Sequence, residues 1–111
     1  MQISYDDFAK IDIRVGTVSR VEPYPQARKP AYKLWIDFGP EVGEKKSSAQ
    51  ITEHYTLESL IGRQVAAVVN FPPKQIGVFM SECLVLGFPD AAGRVVLIGP
   101  DPKVPDGGRL F

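Results

Sequence analysis

Residues 62–87, GRQVAAVVNFPPKQIGVFMSECLVLG, hold the reading on which the fold turns. Two apolar runs, Val65–Val69 and Cys83–Leu86, flank a polar insert that carries two prolines. Between Leu60 and Phe88 the only charged residues are Arg63, Lys74 and Glu82. Unpaired charge is costly away from water, so a stretch this poor in charge belongs in an interior. Both runs are β-branched or small and lack helical spacing, which predicts central strands. The insert Asn70–Gln75 cannot extend either strand, because Pro72 and Pro73 have no amide hydrogen to donate. A stiff loop that carries an aromatic ring, an amide and a lysine between two core strands suits a binding site. A plain strand connection accounts for the same residues. The aromatic–proline step Phe71–Pro72 and the next bond, Pro72–Pro73, are candidates for a cis peptide.

Outward from that stretch, strand signals come first. Ile11, Ile13 and Val15 alternate with Asp12 and Arg14, and the alternation slips after Gly16, which predicts a bulge or sharp coil there. Strongly coiled first strands are what small barrels need. Strand two, Lys33–Gly39, alternates cleanly: Leu34, Ile36 and Phe38 face one way, and Lys33, Trp35 and Asp37 the other. A large aromatic among charges marks either a partly shielded face or an exposed binding surface. Turn chemistry at residues 39–44 leads to a third strand around Ser48–Thr52. Thr56 caps a short helix, Leu57–Ile61, that Gly62 stops. Strand four is read as Gln64–Asn70, strand five as Glu82–Phe88, and a further strand as Val95–Ile98. Three strands, a short helix and two strands is the element order of an all-β, five-stranded OB-fold barrel, here in one domain of residues 1–111.

The ends of the chain carry apolar residues without obvious partners. Ser4 and Asp7 favour a helical start that places Phe8 against something apolar. The tail from Gly99 is rich in proline and glycine yet ends in Leu110-Phe111, so docking on the protein itself or on a second subunit is expected.

Composition narrows the functional classes. Thirteen basic and thirteen acidic residues balance in 111, so any attraction to a charged partner must be local. The one cysteine, Cys83, has no partner in the chain and reads as a small buried hydrophobe. His54 is the only histidine and reads as a surface residue; no Cys-x-x-Cys, GxGxxG or phosphate-loop motif occurs. No enzyme chemistry, cofactor or metal is therefore expected. MQISYDDFAK is acidic where a signal peptide is basic, and no apolar run reaches spanning length, which points to the cytoplasm and away from membrane insertion.

Binding has more support than catalysis. Residues 28–35 interleave cations and aromatics, a pattern that can hold phosphates under stacked bases or a peptide on apolar rings. Solvated charge at a dimer rim is the plainer alternative. On an OB barrel the loop after strand one, strands two and three, and the loop after strand four share a face, which would gather Lys29, Lys33 and Lys74.

Four blocks in order, residues 11–16, 27–34, 47–51 and 69–76, resemble the CsaA export-related chaperones over essentially the whole chain. CsaA proteins are similar in turn to the tRNA-binding domains appended to methionyl- and phenylalanyl-tRNA synthetases and to the endothelial-monocyte-activating polypeptide. The resemblance implies an OB-fold homodimer with its terminal segments outside the barrel. It also implies binding of unfolded or precursor polypeptides and a link to the Sec translocation motor. Ile76 and Val78 stand where the tRNA-binding relatives are more polar or basic, and Lys45 where they carry an arginine; a lysine lacks the two-pronged phosphate contact. Both departures favour a polypeptide over tRNA, which stays as the alternative ligand. The expected ligand contacts are Arg28, Lys29, Lys33, Trp35, Asn70, Phe71, Pro73, Lys74, Gln75, Ile76 and Ser81. Phe8, Phe79, Leu110 and Phe111 are assigned to the dimer interface, although Phe79 fits core or ligand contact as well. A module that only recruits a larger folded partner is a third reading.

Overall fold

The computed structural model describes residues 1–111. Strand β1 (Ile13–Pro23) is long because two neighbours share it. Its first half, Ile13–Thr17, pairs with β4 (Gln64–Val68), and its second half, Thr17–Pro23, pairs with β2 (Tyr32–Asp37), both antiparallel. The register slips between Val18 and Arg20, so the bulge falls at Ser19 and not at Gly16. Ser19 lies outside the ladder, and its hydroxyl donates to the Trp35 carbonyl at 3.1 Å. Gly16 answers a packing constraint instead: a Cβ there would come within 2.6 Å of Ile36 Cγ2 and 2.7 Å of Phe38 Cδ1.

On β2, Leu34 and Ile36 are fully buried, as is Phe38 beyond its end. One helical turn, α2 (Gly39–Val42), then reverses the chain, and β3 (Glu44–Ala49) pairs back from Asp37↔Glu44 to Tyr32↔Ala49. Strand three therefore starts before the expected Ser48 and ends before Thr52. The reversal is tight because Gly43 donates to the Gly39 carbonyl at 2.7 Å, which brings Glu44 directly opposite Asp37. Helix α3 (Leu57–Leu60) forms as expected, with Thr56 and Ser59 capping each other's backbone amides. It drives Leu60 into the core, beside Phe38, Leu34 and Val65.

Between β4 and the last barrel strand, the insert is itself a hairpin. β5 (Lys74–Ile76) pairs with β6 (Phe79–Ser81), so the prolines exclude only residues ahead of Lys74 from pairing. The two-residue turn has Gly77 at φ +61° in its first position, the arrangement of a type II′ hairpin. Strand β7 (Leu84–Val85) pairs with β4. The expected strand Glu82–Phe88 then breaks at Leu86, whose amide turns to the Ala66 carbonyl at 3.0 Å. Residues beyond the break pair elsewhere, as β8 (Gly87–Pro89) with β9 (Val95–Leu97).

Five strands in the order β3-β2-β1-β4-β7 make a nearly closed OB-type barrel. Where β3 faces β7, no ladder forms. The Glu82 amide donates to the Lys46 carbonyl at 2.7 Å, and Glu82 Oε1 accepts from the Lys46 amide at 3.1 Å. Ser81 Oγ accepts from the Ser48 amide at 3.1 Å. The barrel thus closes largely through side chains.

Both terminal segments lie outside the barrel. Helix α1 (Tyr5–Ala9) is capped by Ser4 and Asp7. The tail lies along the edge of β1 that β2 leaves free: Gly107 donates to the Val15 carbonyl at 2.8 Å, Val15 donates to the Gly108 carbonyl at 3.1 Å, and Leu110 donates to the Ile13 carbonyl at 2.8 Å. Asp12 anchors it, paired with Arg14 at 2.6 Å and near Arg109 at 3.6 Å, while Arg14 also donates to the Gly107 carbonyl. The Arg14 hydrogen bond holds the Asp12 carboxyl below the usual carboxylate range. Phe71–Pro72 and Pro72–Pro73 are trans, and the cis bond is Asp101–Pro102. No helix is long and apolar enough to cross a membrane.

Gly16→Ala should lower stability by about 1–3 kcal/mol, since neither Ile36 nor Phe38 can retreat from a packed core. Denaturant unfolding would register this as an earlier midpoint with an unchanged slope.

Candidate ligand groove at the barrel seam

The incomplete closure between β3 and β7 leaves a concave strip on the surface. A groove of about 470 Å³ lies there, lined by Ser47 and Ser48 of β3, Phe71 and Pro72, Lys74, Ile76 and Ser81 of the β5–β6 hairpin, and Cys83 and Leu84. Its floor is polar, and two of its three serine hydroxyls are already engaged. Ser47 Oγ donates to the Ser48 carbonyl at 3.2 Å, and Ser81 Oγ donates to Ser47 Oγ at 3.4 Å while accepting the Ser48 amide. Burial pushes the Cys83 thiol up to about 12, so at neutral pH it is a neutral apolar wall and no nucleophile. The Phe71 ring, 55% exposed, forms an open side.

The hairpin that makes the other side is held by a second small core. Tyr24, Ala31 and Phe79 are buried together on the outer face of β2, with Trp35 and Ile76 packed against them. Phe79 meets the Tyr24 and Trp35 rings at centroid distances of 5.8 Å each. The Tyr24 hydroxyl binds both sides of the turn, donating to the Ile76 carbonyl and accepting from the Val78 amide. Three cations lie over these rings: Lys46 and Lys33 face Phe79 at 5.1 and 5.5 Å, and Arg20 faces Trp35 at 4.4 Å.

This arrangement sorts the expected contact residues. Phe71, Lys74, Ile76 and Ser81 come together in the groove, although the Ser81 hydroxyl is already engaged. Trp35 does not join them; its ring is half-covered by Phe79 and Arg20. Phe79 is only 7% exposed and buried within its own chain, which removes it from an interface between subunits. Asn70 is a tie between segments: its Oδ1 accepts from the Asp12 amide at 3.0 Å and its Nδ2 donates to the Lys10 carbonyl at 2.8 Å. Gln75 donates to the Gly77 carbonyl within the hairpin, and Pro73 is exposed beside the groove. Arg28 is exposed at its loop tip, while Lys29 lines a separate polar cleft with Gln50, Glu53 and Arg94. The expected gathering of Lys29 with Lys74 is therefore not found in the groove. His54 pairs with Asp90 at 2.7 Å, and this bond holds the Asp90 carboxyl below its ordinary range.

Against known families, residues 13–109 match the family described as "Putative tRNA binding domain". The chain belongs to this tRNA-binding-domain family. Among solved structures, the chaperone CsaA of Bacillus anthracis superposes with a TM-score of 0.94 at 50% identity, with all of both chains covered. The CsaA chaperone protein of Picrophilus torridus gives 0.92 at 52% identity, covering 99% of this chain and 100% of that one. A methionine–tRNA ligase of Porphyromonas gingivalis is 37% identical over 108 residues, 97% of this chain. The chain spans about 15% of the length of the curated relatives it matches. For this family member the OB-type fold and the CsaA likeness agree with the sequence reading.

Five lining residues, Ser47, Ser48, Pro72, Cys83 and Leu84, are not among the expected contacts. A signal exists: Ser47 sits where β3 alternation turns a side chain inward, and a small polar residue there marks the seam. Pro72 enters the sequence reading only as a stiffener. Asn70→Ala should cost about 1–2 kcal/mol of stability through its two lost hydrogen bonds. It should leave ligand affinity per folded molecule unchanged, as measured by binding titrations on the variant at a temperature well below its unfolding.

Proposed function

We propose that the chain is a non-catalytic, CsaA-like binder of non-native polypeptides, which receives an apolar side chain in the seam groove. The observation that carries this is the groove's lining: Phe71, Pro72, Ile76, Leu84 and an uncharged Cys83 around three serines, two of whose hydroxyls are already hydrogen-bonded. An apolar pocket with few free polar groups favours side chains over phosphates. Through the CsaA likeness the reading extends to export-destined chains in the cytoplasm and to a link with the Sec translocation motor. Suppression of client aggregation, followed by light scattering, should need about three- to tenfold more protein in Phe71→Ala, since a lost aromatic contact is of that size. An unchanged curve removes the groove from client binding.

Binding of tRNA is the second reading, supported by the family match and by the lysines near the hairpin. Titration of tRNA at several salt concentrations separates the two. A steep salt slope, reduced in Lys33→Ala and Lys74→Ala, would favour RNA.

A homodimer completes the proposal. Tyr5, Phe8, Ala9, Ile11, Leu110 and Phe111 line an open apolar cavity of about 410 Å³, and Leu110 and Phe111 continue into a second, of about 460 Å³, with Ile13, Val15 and Ile98. An apolar surface this continuous is costly in water and suits a second copy. Size exclusion with light scattering should give twice the monomer mass, and Leu110→Asp with Phe111→Asp should halve it. A monomeric native chain would refute the dimer.

A further inference from the structure

The lining of the seam groove carries charge of one sign only. Lys74 is the only ionised residue in the lining, it is exposed, and it forms no ion pair. Glu82, next to Cys83 but outside the lining, keeps its negative charge, and one of its carboxylate oxygens is turned to the Lys46 amide across the seam. Behind the hairpin wall, the Lys33 and Lys46 ammonium groups lie over the Phe79 ring and are likewise unpaired with any carboxylate. The Ser47 and Ser81 hydroxyls are hydrogen-bonded to each other and to the backbone, which leaves the Ser48 hydroxyl as the one without a hydrogen bond in the floor. Among the lining residues, only Lys74 at the rim can make an ionic contact with a ligand.

Resting on the polypeptide reading above, we propose that the groove selects extended segments in which a large apolar side chain has a carboxylate beside it. The apolar side chain fills the space between Phe71, Ile76 and Leu84, and the adjoining Asp or Glu meets Lys74 at the rim. The same apolar anchor flanked by lysine or arginine brings like charges together and binds more weakly. The chain is neutral overall, so this preference is a local property of one edge and fades with salt.

Short labelled peptides that share a central Phe-Leu pair, flanked by Asp-Glu, Ser-Ser or Lys-Arg, test this by fluorescence anisotropy with the full chain. At low salt the acidic peptide should bind about fivefold more tightly than the basic one, the range of an exposed ion pair. The difference should shrink with added salt, and Lys74→Glu, at an exposed position, should reverse the order. Equal affinities, or a basic preference, with binding still weakened by Phe71→Ala would overturn the charge selection and leave the polypeptide reading standing. If Phe71→Ala weakens none of the peptides, or none binds, the groove is not a polypeptide site and both ideas fall.

Discussion

Closure of a small barrel requires its two edge strands to meet, and in this chain they meet mainly through side chains. Glu82 spans the gap to Lys46 with its amide and its carboxylate, while Ser81 takes the Ser48 amide. Had β3 and β7 zipped into a full ladder, the strip between them would be filled by backbone. Because they do not, the floor is made of small side chains, Ser47, Ser48 and Cys83, and the surface above them is concave. The groove is thus a consequence of how the barrel is closed. The Ser81 hydroxyl that helps complete the closure has already given its one donor hydrogen to Ser47.

A second constraint shapes the groove's wall. The β5–β6 hairpin is short and would not stand alone in water. It is held because Phe79 reaches back to Tyr24 and Trp35, and because the Tyr24 hydroxyl ties both strands at the turn. Lys33, Lys46 and Arg20 cover these rings without competing for their hydrogen bonds. Cations over aromatic faces keep their charge. Structure and electrostatics are therefore joined on this face: the residues that fix the wall also make its surroundings positive.

The terminal segments follow from the sharing of β1. A strand that serves β4 with its first half and β2 with its second must leave part of one edge bare, and the tail fills it. The Asp12–Arg14–Arg109 cluster and Asn70 then bind the region after α1 to the loop after β4. Three backbone hydrogen bonds hold the tail there, yet the side chains of Leu110 and Phe111 still face solvent. The backbone is tied within the chain while apolar burial is not achieved, which is why these ends point to a second copy.

Residue pattern alone determined the all-β class, the inward set Leu34-Ile36-Phe38, the capped helix at Thr56 and the importance of the stretch around Phe71 and Lys74. Each depends on neighbours in sequence: period-two alternation, a cap three residues from its partner, a proline that cannot donate. Tertiary structure alone decided that the bulge sits at Ser19, that strand five breaks at Leu86, and that residues 74–81 form a hairpin. It also decided the fate of individual side chains. Asn70 and Phe71 are adjacent and both looked like ligand contacts, yet one is spent on the backbone of residues 10 and 12 while the other lines the groove. Trp35 and Phe79 looked exposed or available for a partner, and they cover each other. Local pattern can tell which face of a strand is apolar, but what covers that face depends on segments dozens of residues away, and only the folded chain brings them together.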